Sequence, residues 1–288
     1  MVGKSVRRTV VIILALSVFS LALAGCGGEK GKNGDTGSSG SSSSSEKLTY
    51  TGSSTIGQNI MPEAFKTFSK TTGVKIGAID NPGSGKGMEA LIAGKAKLAG
   101  ASRPLTPEEE SKGAYSQIIG YDAICVFVNE ENPVKGLTAA QVKDIFTGKV
   151  KNWKEVGGND APIAVVTEIL GGKRATQLEF QKLVMDNQDY TSNRKEVDMP
   201  IDEPKAVVAD KNAITAASMS FSTPGARAVS VNNVKPSISN IRSGAYILSR
   251  PLVLSTRGQP EGINKQFIDF MVSSEGQAIV GKKFATAE

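Results

Sequence analysis

Histidine is absent from the 288-residue chain, and cysteine occurs only twice, as Cys26 and Cys125. Without histidine there is no Ser-His-Asp or Cys-His nucleophile pair, no imidazole acid/base chemistry and no His-ligated zinc. Two cysteines can build neither a four-cysteine metal site nor a disulfide framework. An excess of positive charge is nearly absent too. Lys and Arg number 34 against 28 Asp and Glu, a formal +6. Lys4, Arg7 and Arg8 supply half of that within the first 25 residues, so the remainder is far from the dense basic stripe of a nucleic-acid binder. What is present, 39% apolar residues and 31 glycines, is the composition of a soluble, turn-rich globular protein. These exclusions favour a binding protein over an enzyme, with no metal or cofactor and no nucleic-acid partner.

The first residues read as an address. Lys4, Arg7 and Arg8 precede an apolar run from Val10 to Ala24, too short for a comfortable membrane span and closed by small residues, which is the signal-peptide pattern. Leu23-Ala24-Gly25-Cys26 looks like a bacterial lipoprotein cleavage box. That likeness implies a signal peptide over 1–25, lipidation of Cys26, and an extracytoplasmic protein held to a bacterial membrane by its lipid alone. Residues 26–46, rich in Gly and Ser with Ser41 to Ser45 in a row, read as a tether that can bury no apolar surface. Cys125, inside the apolar run Ala123 to Val128, reads as a buried core residue.

From residue 47 on, strand and helix signals alternate. Leu48 to Thr51, Val74 to Ile79, Ile124 to Asn129, Ile163 to Val166 and Pro251 to Thr256 read as strands. One helix is expected through Ile60, Met61, Phe65 and Phe68, others through Leu91 and Ile92 and through Leu178 to Val184, and late ones near Phe267 to Val272 and Gln277 to Val280. Thr106-Pro107-Glu108-Glu109 and Thr138 to Gln141 read as capped helix starts. The order predicts an α/β fold with mostly parallel sheets. Three of the strand-to-helix turns share a composition: Ser53-Ser54-Thr55, Ser84-Gly85-Lys86 and Gly171-Gly172-Lys173. Free backbone N–H groups, hydroxyls and the helix dipole make such turns receptive to anions, and an open α/β sheet gathers them beyond its strand ends. The acid pairs Glu108-Glu109 and Glu130-Glu131 read as solvated faces, and Trp153 as core.

The folded part resembles the phosphate-binding proteins of bacterial high-affinity phosphate ABC transporters, in their shorter form. The resemblance rests on Gly52-Ser53-Ser54-Thr55, Gly83-Ser84-Gly85, Ala101-Ser102-Arg103-Pro104-Leu105, Asp122, Asp144 to Lys149 with Asn152 to Gly158, Leu248 to Leu252, and Ser274 to Gln277. It implies a two-lobed periplasmic binding protein of type II, each lobe a mixed, mostly parallel sheet flanked by helices. Lobe 1 would take 47–126 and 249–288, lobe 2 would take 127–248, and the crossovers would lie near 122–129 and 250–256. It further implies a monomer that closes on inorganic phosphate or a related oxyanion by hinge motion and delivers it to an ABC permease with its ATPase. The residues it nominates for the ligand are Ser53, Ser54, Thr55, Ser84, Gly85, Lys86, Ser102, Arg103, Asp122, Gly172, Lys173 and Arg174.

The third anion loop departs from the family pattern, which has arginine, two residues, then glycine-serine-glycine-threonine. Here Thr167 stands for the arginine, Leu170 for the first glycine, Gly171 for the serine and Lys173 for the threonine, and the carboxylate of Glu168 comes near the pocket. Losing one charged partner costs a buried anion about 1.5–3 kcal/mol, roughly one to two decades of affinity. Lys86, Arg103, Lys173 and Arg174 either restore the positive charge or are solvated and structural cations. Asp122 either accepts a proton from a protonated oxyanion or caps a loop. Alternatives to phosphate transport are a different oxyanion or small carboxylate as ligand, a non-transporting surface sensor or interaction protein, and, weakest, a phosphatase-like enzyme.

Overall fold

The computed structural model describes residues 46–171 and 174–287. The expected signal peptide, Cys26, all of the tether but Glu46, and Gly172 and Lys173 lie outside the described residues.

Twelve strands and ten α-helices occur among the described residues. The strands are β1 Leu48–Gly52, β2 Ile76–Asp80, β3 Ala99–Ala101, β4 Ala114–Asn129, β5 Gly136–Leu137, β6 Ala164–Glu168, β7 Arg194–Val197, β8 Ala213–Ser218, β9 Ala226–Ala228, β10 Ser230–Val231, β11 Ser249–Arg257 and β12 Ala285–Thr286. The helices are α1 Ser54–Asn59, α2 Met61–Thr72, α3 Ser84–Ile92, α4 Pro107–Ser111, α5 Ala139–Phe146, α6 Ala175–Val184, α7 Asp202–Ala209, α8 Ile238–Arg242, α9 Gly262–Val272 and α10 Ser274–Val280.

The main sheet runs β2-β1-β3-β11-β4-β8-β6-β7. Its two flanks are parallel: β1 pairs with β2 and β3 on one side, and β6 pairs with β7 and β8 on the other. Its centre is antiparallel, because the two long strands β4 and β11 run against each other from Ser249↔Ala123 to Arg257↔Ala114. β4 is much longer than the expected Ile124 to Asn129. Its first half, with Ser116, Gln117, Gly120 and Asp122, lacks a continuous apolar run, yet it pairs with β11 on one edge and β12 on the other.

The two flanks have separate cores, as in a two-lobed fold. On the β1 side, Leu48, Phe65, Phe68, Ile119, Leu252, Phe267 and Phe284 are buried together. Phe65 meets Phe267 edge-on at 5.1 Å, a geometry that suits the ring quadrupoles. On the β6 side, Val126, Phe127, Phe146, Trp153, Phe180 and Tyr246 form the second core. Trp153 is fully enclosed and donates its indole N–H to the Asn212 carbonyl at 3.0 Å. Cys125 is buried there as a free thiol.

Local sequence explains the element ends. Met61, Ala64, Phe65 and Phe68 fall on one face of α2, which stops at Gly73 with φ 74°. The single helix expected through Ile60 and Phe68 is two, α1 and α2, because Pro62 has no N–H to continue the ladder and the break falls at Ile60. Thr106 and Thr138 both close reciprocal caps, with Glu109 and Gln141 respectively.

Candidate functional site

The parallel flanks aim three helix starts at one place. β1 turns into α1 through Gly52, whose φ of 129° suits only glycine and whose Cβ would lie 2.3 Å from the Gly100 carbonyl oxygen. β2 leads to α3, which presses Gly87 against that same turn, and β6 leads to α6. The turns are tied together by polar groups. The Ser53 hydroxyl donates to Ser102 Oγ at 3.2 Å, the Ser102 N–H donates to Ser84 Oγ at 3.2 Å, and the Tyr50 hydroxyl donates to the Ser53 carbonyl at 2.9 Å.

Between these starts lies a tight cavity of about 10 Å³, lined by Ser53, Ser54, Thr55, Gly83, Ser84, Ser102, Glu168, Arg174, Ala175, Thr176 and Pro200. Six of the residues nominated from sequence therefore come together: Ser53, Ser54, Thr55, Ser84, Ser102 and Arg174. Arg174 precedes α6 and reaches across to Ser54, donating through Nη1 to its Oγ at 2.6 Å.

Four nominated residues stand elsewhere. Arg103 is buried and does not line the cavity, its guanidinium held bidentately by Glu109 at 2.6 and 2.8 Å and by the Pro104 carbonyl. That pair also corrects the reading of Glu109 as solvated: only 8% of it is exposed. Burial raises its carboxyl, but the Arg103 hydrogen bonds and the Thr106 N–H more than offset that and hold it below 4.5. Gly85 shares a neighbouring groove with Arg103, and the Lys86 side chain is exposed. Asp122 does not line the cavity. It is fully buried within β4 and bonded to Arg250 at 2.8 and 3.0 Å, with the Ser218 hydroxyl donating to its other oxygen at 2.9 Å. It thus pairs with Arg250 in mid-strand and caps no loop. Burial keeps its pKa above the usual 3.8 despite Arg250.

Arg250 is a candidate site side chain that the turn compositions did not flag. Strand register puts it opposite Asp122, and it sits wholly buried between the two flanks. Its Nη1 donates to Thr176 Oγ1 at 3.1 Å and its Nη2 to Thr55 Oγ1 at 3.4 Å. Both hydroxyls line the cavity, and a hydroxyl that accepts from Arg250 keeps its own hydrogen for a ligand. The sequence signal was an arginine inside the Leu248 to Leu254 stretch, whose other residues apart from Ser249 are apolar.

Two buried acids complete the site. Glu168 ends β6 on the cavity wall, with Arg174 Nε 3.5 Å from Oε1 and Gln177 Nε2 donating to Oε2 at 2.9 Å. Behind it, Glu203 of α7 accepts the Glu168 N–H at 3.1 Å. Burial raises the pKa of both, and the charge of Glu168 lifts Glu203 further, well above 4.5.

A family model described as the PBP superfamily domain matches residues 37–275. The chain belongs to the PBP superfamily. It is similar to the phosphate-binding protein PstS of Staphylococcus epidermidis strain RP62A, with 30% identity over 279 residues covering 90% of this chain and 83% of the relative. PstS of Bacillus subtilis is 29% identical, covering 94% of this chain and 91% of its own length. Among solved structures it is similar to one from Clostridium perfringens, described as a phosphate ABC transporter substrate-binding protein with bound phosphate. The TM-score is 0.79 at 34% identity, covering 84% of this chain and 100% of that one.

Proposed function

We propose that the protein captures inorganic phosphate between its two lobes, outside the cytoplasm, and hands it to an ABC permease served by a separate ATPase. The observation that carries this reading is the convergence of the α1, α3 and α6 starts, with Ser and Thr hydroxyls and Arg174, on one small cavity. Helix starts supply N–H groups and positive dipole ends, and they hold a tetrahedral oxyanion without a rigid cage of full charges. Relatives named phosphate-binding proteins and the phosphate-bound Clostridium perfringens structure support the choice of anion. The lobes are 47–126 with 249–288, and 127–248. Arg174 to Ser54 and Arg250 to Thr176 are the bonds that would lock them around the ligand. Gly172 and Lys173, which precede α6 in the sequence, are retained as ligand candidates. Lipidation at Cys26 would hold the protein to the membrane, and no helix among the described residues is long and apolar enough to cross one. The protein would act as a monomer and perform no chemistry on the anion.

A second reading, the same fold with another oxyanion or a small carboxylate, is favoured by the third loop, where Thr167 replaces the family's arginine and a buried Glu168 faces the ligand space. Calorimetric titration of the purified full-length protein with phosphate, sulfate and acetate separates the two. Heat with phosphate that is lost in Arg174→Ala supports phosphate capture. Heat only with another anion moves the ligand, and heat with none removes the solute-binding reading.

A further inference from the structure

The excess charge of the folded part is gathered at one place. The formal +6 of the chain falls to +3 once Lys4, Arg7 and Arg8 are set aside. β1, β2 and β3 run parallel, and the turns after β1 and β2 and Ser102 after β3 line the ligand cavity, so the residues that precede these strands gather at the opposite end of this flank. They are Lys47 before β1, Lys75 before β2, and Lys95 and Lys97 before β3. Arg257 joins them from the end of β11, because that strand runs against β3 with Ser255 opposite Ala99. All five are exposed. At about 3.3 Å per residue, the five residues of β1 hold this end roughly 16 Å from the cavity.

Contacts make these cations neighbours. The Leu48 N–H donates to the Lys75 carbonyl at 2.9 Å, which sets Lys47 beside Lys75. Lys97 and Arg257 line one groove together with Glu46 and Glu261. Lys95 follows Gly94, where an added Cβ would lie 3.7 Å from Arg257 Nη1. The acids nearby do not cancel the cluster. Glu46 is paired with Lys97, and Glu261 is the second acid of the groove, while Lys47, Lys75, Lys95 and Arg257 form no ion pair among the described residues. Lys112 with Glu108 and Lys265 with Asp269 neutralise each other in pairs. Lys70 at the end of α2 and Glu110 in α4 add one charge of each sign. Five cations against two acids leave +3 at this end, the whole excess of the chain after residue 25, and everything else balances.

Resting on the reading of the N-terminus as a membrane anchor, we propose that this basic end is a docking face for the anionic lipid headgroups of the membrane that holds the protein. Glu46, where the described chain begins, lies in the groove beside Lys97, so the stretch that leads back to the anchor starts from the face itself. Cys26 and Glu46 are 20 positions apart, and a Gly/Ser-rich segment of that length spans about 25 Å as a root-mean-square distance. The face is therefore the part of the folded chain tied closest to the bilayer, at an effective concentration of about millimolar. Weak attraction then suffices. Each cation within a Debye length of an anionic surface, about 8 Å at physiological salt, strengthens the contact about fivefold. The large apolar side chains that are exposed, such as Ile169, Leu178 and Met199, belong to other elements, so the contact is with headgroups and not with acyl chains. With this face on the bilayer, the ligand cavity at the far strand ends stays clear of the headgroups.

The test reads lysine reactivity. Full-length protein is reconstituted through its own N-terminus into vesicles of phosphatidylcholine alone or of an equal mixture of phosphatidylcholine and phosphatidylglycerol. It is then acetylated at exposed amines, and each lysine is scored by mass spectrometry. We expect Lys47, Lys75, Lys95 and Lys97 to react at least about threefold more slowly on the anionic vesicles, with Lys86, Lys149 and Lys205 unchanged. The protection should vanish at about 1 M salt, where the Debye length is about 3 Å. The triple variant Lys47→Glu, Lys75→Glu, Lys95→Glu should lose the protection of Lys97 and keep its phosphate affinity, with a thermal melt to report that it folds. Equal reactivity of the four lysines on the two vesicle types, or protection of Lys97 that survives in the folded triple variant, overturns the inference. Protection by soluble heparin with none on anionic vesicles gives the face to an anionic polymer and overturns it as well. Failure of phosphatidylcholine vesicles to retain the protein removes the anchor reading instead. The docking face then stands if the anionic vesicles still bind the protein and protect the four lysines, and falls if they do not.

Discussion

Replacing Arg250 tests the structural logic of the site, because the guanidinium makes all of its contacts where water cannot compensate. It is fully buried, as is its partner Asp122, and it also supplies the hydrogen bonds to Thr55 and Thr176. In Arg250→Met the stem volume is largely kept but Asp122 is left with only the Ser218 hydroxyl and the Ala123 N–H. Removing one partner of a buried pair costs about 3–5 kcal/mol. With a urea slope of roughly 3 kcal/mol per molar, the midpoint should fall by about 1–1.7 M. The double variant Asp122→Asn with Arg250→Met removes the stranded charge, so its loss should be smaller than the sum of the two single losses by at least about 1 kcal/mol. The loss in Arg250→Met should also shrink in acid, since a buried Asp122 with no guanidinium escapes its penalty by protonating. Urea unfolding at two pH values, followed by tryptophan fluorescence from the buried Trp153, measures all three. A loss below about 1 kcal/mol, or additivity in the double variant, would refute the claim that this pair is a buried and mutually dependent unit.

Three further outcomes follow from the same geometry. Glu203 is raised well above 4.5 by burial and by Glu168, so the folded protein holds a proton that the unfolded chain releases; its contribution is complete below about pH 4.5 and is lost as pH rises toward the folded value. Thermal melts between about pH 5 and pH 8 should therefore show a shallower decline for Glu203→Gln than for the unmodified protein, and identical slopes would contradict a buried neutral acid. Glu109→Gln should lower stability by about 1.5–3 kcal/mol through the stranded Arg103, yet leave phosphate affinity within about twofold; a large loss of affinity would return Arg103 to the ligand site. Gly87→Ala places a Cβ 2.4 Å from Gly52 Cα, so a cost of about 1–3 kcal/mol with weakened phosphate binding is expected, and an unchanged melting temperature would show that the two turns do not meet.

The parts of the fold legible in the sequence were those with local signals. Caps at Thr106 and Thr138, the apolar faces around Phe65 and Phe267, and the Ser/Gly turns before α1 and α3 are written in a few adjacent residues each. The first half of β4 was not, because its stability comes from pairing with β11 more than 120 residues later and not from its own pattern. The site divides in the same way. The hydroxyl turns could be seen one by one, whereas Arg250 becomes a site residue only through its register opposite Asp122 and its reach to Thr55 and Thr176. Arg103 shows the converse: its sequence context suggests an anion ligand, and only the fold shows Glu109 turned back onto its guanidinium. Glu203 gave no warning at all, since an acid in the first turn of a helix usually just complements the dipole.

The most direct test of the central claim is to locate the bound anion. Crystals of the full-length protein grown with arsenate, the heavier analogue of phosphate, should give one strong anomalous peak at the arsenic edge, inside the cavity and within hydrogen-bonding reach of the Ser54 to Thr55 turn, Ser84, Thr176 and Arg174. A peak instead in the groove beside Arg103 and Gly85, or elsewhere on the surface with the cavity empty, would contradict the assignment of the three helix starts as the anion site.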